Sequence, residues 1–311
     1  MSASAARPDT STTAWIVTGP TSGIGHRTAL ELAQRGIVVL VGRSPDKLDA
    51  VQQEIAARGG RAVPVMADLS DITSARRAAT LITELDLPIG GVLNNAGIMP
   101  LRAFTTAQGW DGAFATNHLG PFAFTEALIP SLPDRANIVF VCSAAEDPDR
   151  KIAVQAGFRG SRYISAEASA RGEWLPGGST HAGFDAYATS KQGNLATVFA
   201  LAREHPRLRF RAVEPGVTPG SNLTREMSAP MRAFSRMVSP FAPLIPHYST
   251  PKRAARLITQ VLTDPAEATG TYCDENGRPM RASTQVSEPD YSDRYVAETR
   301  ALLATTPAAT R

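Results

Sequence analysis

From Ala14 onward the chain alternates short runs of β-branched and other apolar residues with longer stretches whose apolar positions recur every three or four residues. Parallel βαβ units impose this alternation, because each crossover between parallel strands must be long enough to hold a helix. Trp15-Ile16-Val17-Thr18 predicts a first strand. A helical stretch then carries Ile24, Thr28, Ala29, Leu32 and Ala33 on one face, stops at Gly36, and gives way to the strand Ile37-Val38-Val39-Leu40-Val41. Ser44 stands at an N-cap position with Pro45 as the first helical residue, after which Leu48, Val51 and Ile55 form a stripe that ends at Gly59-Gly60. Further strands are predicted at residues 62–66, 91–94, 137–142, 208–213 and 270–273. The fold class is therefore α/β: a doubly wound parallel sheet of six to seven strands with helices on both faces.

Two stretches break the rhythm. Residues 144–183 are rich in Gly, Ser, Arg and Pro, and within 221–250 the residues Met227, Met231, Phe234, Met237, Val238 and Phe241 recur at helical spacing. Both are too long for plain connectors. The expected organisation is a flexible N-terminus at 1–13, one domain over 14–300 containing an insertion at 144–183 and a substrate lid at 221–250, and a C-terminal tail at 301–311.

Composition mainly excludes. The formal charge of +3 is spread along the chain without a basic block, which argues against a nucleic-acid partner. Cys142 and Cys273 lack metal-ligand spacing and are too few for a disulfide framework, so no metal site is expected and a reducing cytoplasm fits. No run of about eighteen apolar residues suggests a membrane span. The Met/Phe stripe has a second reading, as an amphipathic segment on a membrane with Arg225, Arg232 and Arg236 on its other side, but nothing else points to a membrane.

The chemistry begins right after the first strand, at Thr18-Gly19-Pro20-Thr21-Ser22-Gly23-Ile24-Gly25, which opens directly into a helix. Glycines there let backbone approach a pyrophosphate, and the free amides and positive dipole end of the helix stabilise its charge. A plain tight turn is the alternative reading. At the end of the second strand, where an NAD-selecting enzyme usually places an acidic residue on the ribose hydroxyls, stands Arg43 followed by Ser44. A guanidinium there suits the 2′-phosphate of NADP, and Ser44 can donate a hydrogen bond to it while capping its helix; NADP(H) is expected over NAD(H).

Tyr187 and Lys191 are four residues apart in a helical stretch and so share a face. A neighbouring ammonium favours the phenolate, so Lys191 is expected to lower the pKa of Tyr187 and suit it to proton exchange with a substrate oxygen. The bland alternative is a half-buried tyrosine beside a surface lysine.

Taken together these residues resemble the short-chain dehydrogenase/reductase family over residues 14–273. Its glycine motif is matched by Thr18, Gly19, Gly23, Ile24 and Gly25; its acidic residue after the third strand by Asp68, with Leu69 beside it; its Asn-Asn-Ala-Gly run by Asn94, Asn95, Ala96 and Gly97. Asn117, Ser143, Tyr187 and Lys191 match the catalytic tetrad, and Pro215-Gly216-Val217-Thr218 the segment that contacts the nicotinamide carboxamide. The resemblance implies a Rossmann-like fold and a cofactor site lined by Gly19, Thr21, Ser22, Gly23, Ile24, Gly25, Arg43, Ser44, Asp68, Leu69, Asn95, Ala96, Gly97, Tyr187, Lys191, Pro215, Gly216, Val217 and Thr218. It also implies that Ser143 hydrogen-bonds the substrate oxygen, that Lys191 holds the nicotinamide ribose, that Asn117 positions a water leading to Lys191, and that Asp68 binds the adenine.

One departure is plain. Between Ser143 and Tyr187 lie 43 residues, about thirty more than in compact members. The wording from Trp110 to Gly120 resembles retinol-dehydrogenase-like members, and monomeric carbonyl reductases also carry extra residues before the tyrosine. Phe158, Tyr163, Trp174, Leu175 and Pro176 of the insertion either line the substrate cleft or cover the outer face. The expected activity is reduction of an apolar ketone or aldehyde, or the reverse oxidation, by a monomer or homodimer. Two alternatives stand beside it: a nucleotide-sugar epimerase or dehydratase, whose glycine spacing and larger C-terminal region differ from this chain's, and a cofactor-binding scaffold or redox sensor without turnover.

Overall fold

The computed structural model describes residues 13–218 and 245–306; the Met/Phe stripe from Met227 to Phe241 and its arginines lie outside the described residues. Seven strands, β1 (Ala14–Thr18), β2 (Ile37–Gly42), β3 (Arg61–Met66), β4 (Ile89–Asn94), β5 (Asn137–Val141), β6 (Arg209–Val213) and β7 (Thr271–Cys273), form one sheet in the order β3-β2-β1-β4-β5-β6-β7. Every pairing is parallel. The order reverses between β1 and β4, and ligands of such sheets bind beyond the strand ends at that switch point.

Near-continuous apolar strands arise because both faces are covered. Ile16, Val39, Ile138, Phe140 and Phe210 point into one layer of side chains, while Val17, Val38, Leu40, Val139 and Val213 point into the other. The second layer is closed by α1 (Gly23–Leu32) and α2 (Pro45–Ala57), and by a later helix, Pro251–Thr263, through Ala254, Ile258 and Leu262. The first is closed by α3 (Ile72–Glu84), by the run α4 (Gly112–Phe114), π-helical Ala115–Leu119 and α5 (Gly120–Leu128), and by the long helix Ala182–Glu204.

Residues 144–183 contribute two short helices, α6 (Lys151–Gln155) and α7 (Ala166–Ala170). Numbering then continues with α8 (Ala182–Glu204), α9 (Pro251–Thr263), α10 (Thr284–Ser287) and α11 (Pro289–Ala304). Of the 23 residues of α8, 19 are buried. A helix covered on all sides needs partners on all sides; besides the sheet these are α11, α10, α4, the π-helical segment and the 3-10 turn Ala144–Glu146.

Candidate active site

The turn after β1 is built from the backbone outward. Gly19 and Gly23 adopt φ of 67° and 57°, the left-handed region in which a side chain is strained. Thr18 ties this turn to the end of β4: its hydroxyl donates to the Leu93 carbonyl at 3.2 Å and accepts from the amides of Asn95 and Ala96 at 2.9 and 3.0 Å. Asn95 Nδ2 returns a bond to the Thr18 carbonyl at 2.9 Å. A Cβ on Gly25 would run into that Asn95 amide and the Gly19 carbonyl, so only glycine lets α1 start this close to β1. No carboxylate occupies the first turn of α1, and Ser22 at its N-cap makes no side-chain cap. The first-turn amides therefore face the strand ends unpaired by a cap, the arrangement that receives an anion.

Around this turn, Arg43 is exposed and makes no ion pair or side-chain hydrogen bond among the described residues. Ser44 does occupy the N-cap of α2 with Pro45 behind it, but its hydroxyl makes no capping bond, so the dual role expected of it reduces to one free donor. Asp68 is half-buried, and its Oδ1 accepts from the amide and hydroxyl of Ser70 at 2.9 and 2.7 Å. Leu69 is buried where Gly120, at the start of α5, packs directly on its backbone.

Four other side chains meet near Gly97. Lys191, 4% exposed, donates from Nζ to the Val141 carbonyl at 2.7 Å, and Nζ stands 5.7 Å from the centre of the Tyr187 ring one helical turn away. The Tyr187 phenol lies close enough to Ser143, just after β5, for that hydroxyl to lower its pKa. A Cβ on Gly97 would sit 3.3 Å from Asn117 Oδ1 and 3.7 Å from Lys191 Nζ, so Gly97 brings the backbone after β4 close to both groups. Asn117 lies in the π-helical turn, a widening often found at functional sites. Its Oδ1 accepts from the Ile98 amide at 2.8 Å, and its Nδ2 donates to the Ile98 carbonyl and Ser190 Oγ at 2.9 and 3.1 Å. Beyond β6, Gly216 turns with φ of 76°, Thr218 Oγ1 donates back to its carbonyl at 3.0 Å, and Val217 is exposed.

The electrostatics correct one expectation. Lys191 does not lower the Tyr187 pKa here: burial pushes the phenol up, the Ser143 hydroxyl draws it partly back, and half-buried Glu214 and buried Cys142 push it further up. Burial equally lowers the Lys191 pKa, opposed by Cys142 and Glu214. The reason is geometric: the ammonium is aimed at a main-chain carbonyl, not at the phenol oxygen.

Glu214 is the residue that reading the sequence missed. It directly follows β6 and precedes Pro215, and its Oε2 accepts the amide of Ala144, next to Ser143. The visible signal was an acidic residue closing an apolar strand beside a candidate cofactor segment. The insertion divides between the two roles weighed for it. Phe158 stacks on Phe184 with ring centres 4.2 Å apart and packs against Tyr187 at 5.9 Å, on the site side. Tyr163 instead stacks on Tyr295 of α11 at 3.7 Å, Trp174 lies edge-on to Phe114, and Leu175 and Pro176 are exposed.

Comparison with known proteins agrees with this geometry. Residues 13–156 match the family model described as short chain dehydrogenase. A short-chain dehydrogenase/reductase of Armillaria gallica is 30% identical over 239 residues, covering 76% of this chain and 71% of the relative. Human retinol dehydrogenase 13 is 37% identical over 120 residues, 38% of this chain and 36% of that protein. Among solved structures, a short-chain dehydrogenase from Burkholderia cenocepacia in complex with NADP superposes with a TM-score of 0.62 at 24% identity, over 85% of this chain and 96% of that one. Sheet order, glycine turn and sequence similarity converge: the chain belongs to the short-chain dehydrogenase/reductase family.

Proposed function

We propose that the protein is an NADP(H)-dependent oxidoreductase that reduces an apolar ketone or aldehyde, or oxidises the corresponding alcohol, through Asn117, Ser143, Tyr187 and Lys191. The observation that carries this reading is that Tyr187 lies beside Ser143 and one turn from Lys191, while Lys191 and Asn117 both stand beside Gly97, after β4 and next to the glycine turn. The residues fit a dinucleotide: glycine at 25 lets α1 begin directly against the Gly19 turn, and the first-turn amides of α1 carry no side-chain cap and stand free for a pyrophosphate. Thr21, Ser22, Ile24, Asn95, Ala96 and Pro215–Thr218 line the remainder, Asp68 and Leu69 the adenine end. When bound, the nicotinamide supplies or takes up the hydride.

The chain's own residues manage the oxygen. Burial holds the Tyr187 phenol protonated, so it is loaded to give its proton to a carbonyl oxygen as that oxygen becomes an alkoxide. Ser143 Oγ, beside that phenol, donates to the same oxygen and stabilises its charge. Lys191 holds the nicotinamide ribose. The Asn117 side chain, held by Ile98 and Ser190, fixes the turn that would position the water leading to Lys191. Phe158, Phe184, Met99 and Leu101 form an apolar wall around Tyr187, which supports an apolar substrate.

NADP is favoured because Arg43 is exposed and unpaired among the described residues, as a 2′-phosphate partner must be. The NADP held by the Burkholderia protein supports the same choice. The test is binding of NADPH against NADH to purified protein, followed by loss of nicotinamide absorbance with a panel of apolar ketones and aldehydes. Arg43→Asp should weaken NADPH about 10- to 100-fold, the worth of a charge-assisted bond, and leave NADH within a few-fold. Equal losses for both would return Arg43 to the surface. Binding without turnover on any substrate would favour a scaffold or redox sensor.

A further inference from the structure

We propose that Glu214 is a positioning residue, whose ionised carboxylate straps the backbone after Ser143 to the Pro215–Gly216 turn and so fixes the serine against Tyr187. The inference rests on the catalytic reading above, and adds a residue to it.

The geometry is specific. Ser143 lies just after β5 and caps a short 3-10 turn, Ala144–Glu146, its Oγ accepting the Ala145 amide at 3.2 Å. The neighbouring Ala144 amide is instead taken by Glu214 Oε2, from the adjacent strand. The Gly216 amide, two residues on, also acts on the Glu214 carboxylate and lowers its pKa, so Glu214 stands between the substrate-oxygen side of the site and the segment expected against the nicotinamide. Glu214 is itself held by its backbone, its amide donating to the Cys273 carbonyl at 2.8 Å. The Gly216 turn cannot drift the other way, because a Cβ there would already be 3.0 Å from both Glu275 Cβ and the His247 carbonyl. A carboxylate accepts several amides at once; a protonated carboxyl turns one oxygen into a donor and is the weaker acceptor.

The charge on this strap changes near neutrality. Burial raises the Glu214 pKa to about 7, against the Ala144 and Gly216 amides, which lower it. Every packed element contributes: Glu275 after β7 pushes it up, and Arg150, before α6, pulls it down. Tyr187 and Lys191 of α8, Cys142 after β5 and Tyr272 of β7 all feel its charge, and His247 stands 3.6 Å from Glu275. The sign follows. Above about pH 7 the strap is ionised and tight; as pH falls through that value it takes a proton and slackens. Because the folded value lies above the ordinary 4.5, the ionised strap lowers fold stability as pH rises between the two. A charge kept at that cost is expected where it serves the site.

The experiment uses the full chain, wild type and Glu214→Gln, with two readouts. Amide hydrogen exchange at pH 8 should be about tenfold faster in Glu214→Gln over residues 143–147 and 215–218, with the rest of the sheet unchanged. Wild type, corrected for intrinsic exchange, should show the same loosening below pH 7 without any substitution. In turnover, Glu214→Gln should lose about tenfold in kcat with little change in KM for NADPH, and the acid limb near pH 7 should vanish from its profile. Unchanged exchange in both proteins overturns the strap. Faster exchange with the wild-type acid limb intact in Glu214→Gln overturns its part in turnover while leaving the enzyme reading standing. If wild type turns over no substrate, the catalytic reading falls, and exchange alone decides the strap.

Discussion

At the residue scale the site turns on which proton is held where. Tyr187 is buried, its phenol pushed up by that burial and drawn back only by Ser143. This makes it an acid with its proton in place. Tyr187→Phe removes the proton and keeps the ring that packs on Phe158. NADPH affinity should stay within a few-fold while kcat falls by about 10² to 10⁴, the usual contribution of a positioned acid. Titration of NADPH fluorescence and single-turnover absorbance separate the two. A variant with wild-type kcat would remove Tyr187 from the mechanism. Tyr187 and Lys191 were legible because one helical turn of spacing survives in sequence. Glu214 was not, because its partners, Ala144 and Gly216, come from different ends of the chain and meet only once β5 and β6 pair.

At the element scale, the glycine turn shows how a close approach outranks local propensity. Gly25 lies inside α1, where alanine is intrinsically better by about 0.8–1 kcal/mol. Its added Cβ would nonetheless collide with the Gly19 carbonyl, which is backbone and cannot swing aside, and with the Asn95 amide bonded to Thr18. Overpacking of this kind costs about 1–3 kcal/mol, so the clash should win. Gly25→Ala is expected to lower denaturant-unfolding stability by up to about 2 kcal/mol net and to weaken NADPH binding more than tenfold. A stabilised variant with intact binding would mean that the α1 start is looser than this packing requires. The parallel strands and most helices followed from apolar periodicity, since both sheet faces needed covering. The π-helical turn at Asn117 did not: a one-residue widening leaves the apolar stripe of residues 112–128 almost unchanged. Ser44 was read correctly as a cap position, yet whether its hydroxyl bonds the helix is a rotamer choice that no pattern records.

At the scale of the whole molecule, the long insertion and the C-terminal helix are one construction. Tyr163 stacks on Tyr295 and donates to Glu298 at 2.6 Å; Tyr295, fully buried, donates to the Thr189 carbonyl at 3.0 Å; buried Glu146 accepts from the amide of Ser283 at 2.8 Å, and its Oε2 from the Ser283 hydroxyl. The insertion thus reaches across α8 to α10 and α11, and α8 keeps no broad exposed face for a second copy. Assembly through α8 would require α11 to leave, taking Tyr295, Val296 and Leu303 out of the core. Sedimentation equilibrium at micromolar concentration should therefore give the mass of one 33.0 kDa chain, or at most two joined elsewhere. Tyr295→Ala sharpens the test: it should cost about 3–5 kcal/mol in stability and loosen the cover enough for mass to rise with concentration. A wild-type tetramer, or a dimer whose cross-links map to α8, would show that this cover opens in solution, and that the tight packing around Tyr187 is completed by a neighbour instead of by the chain itself.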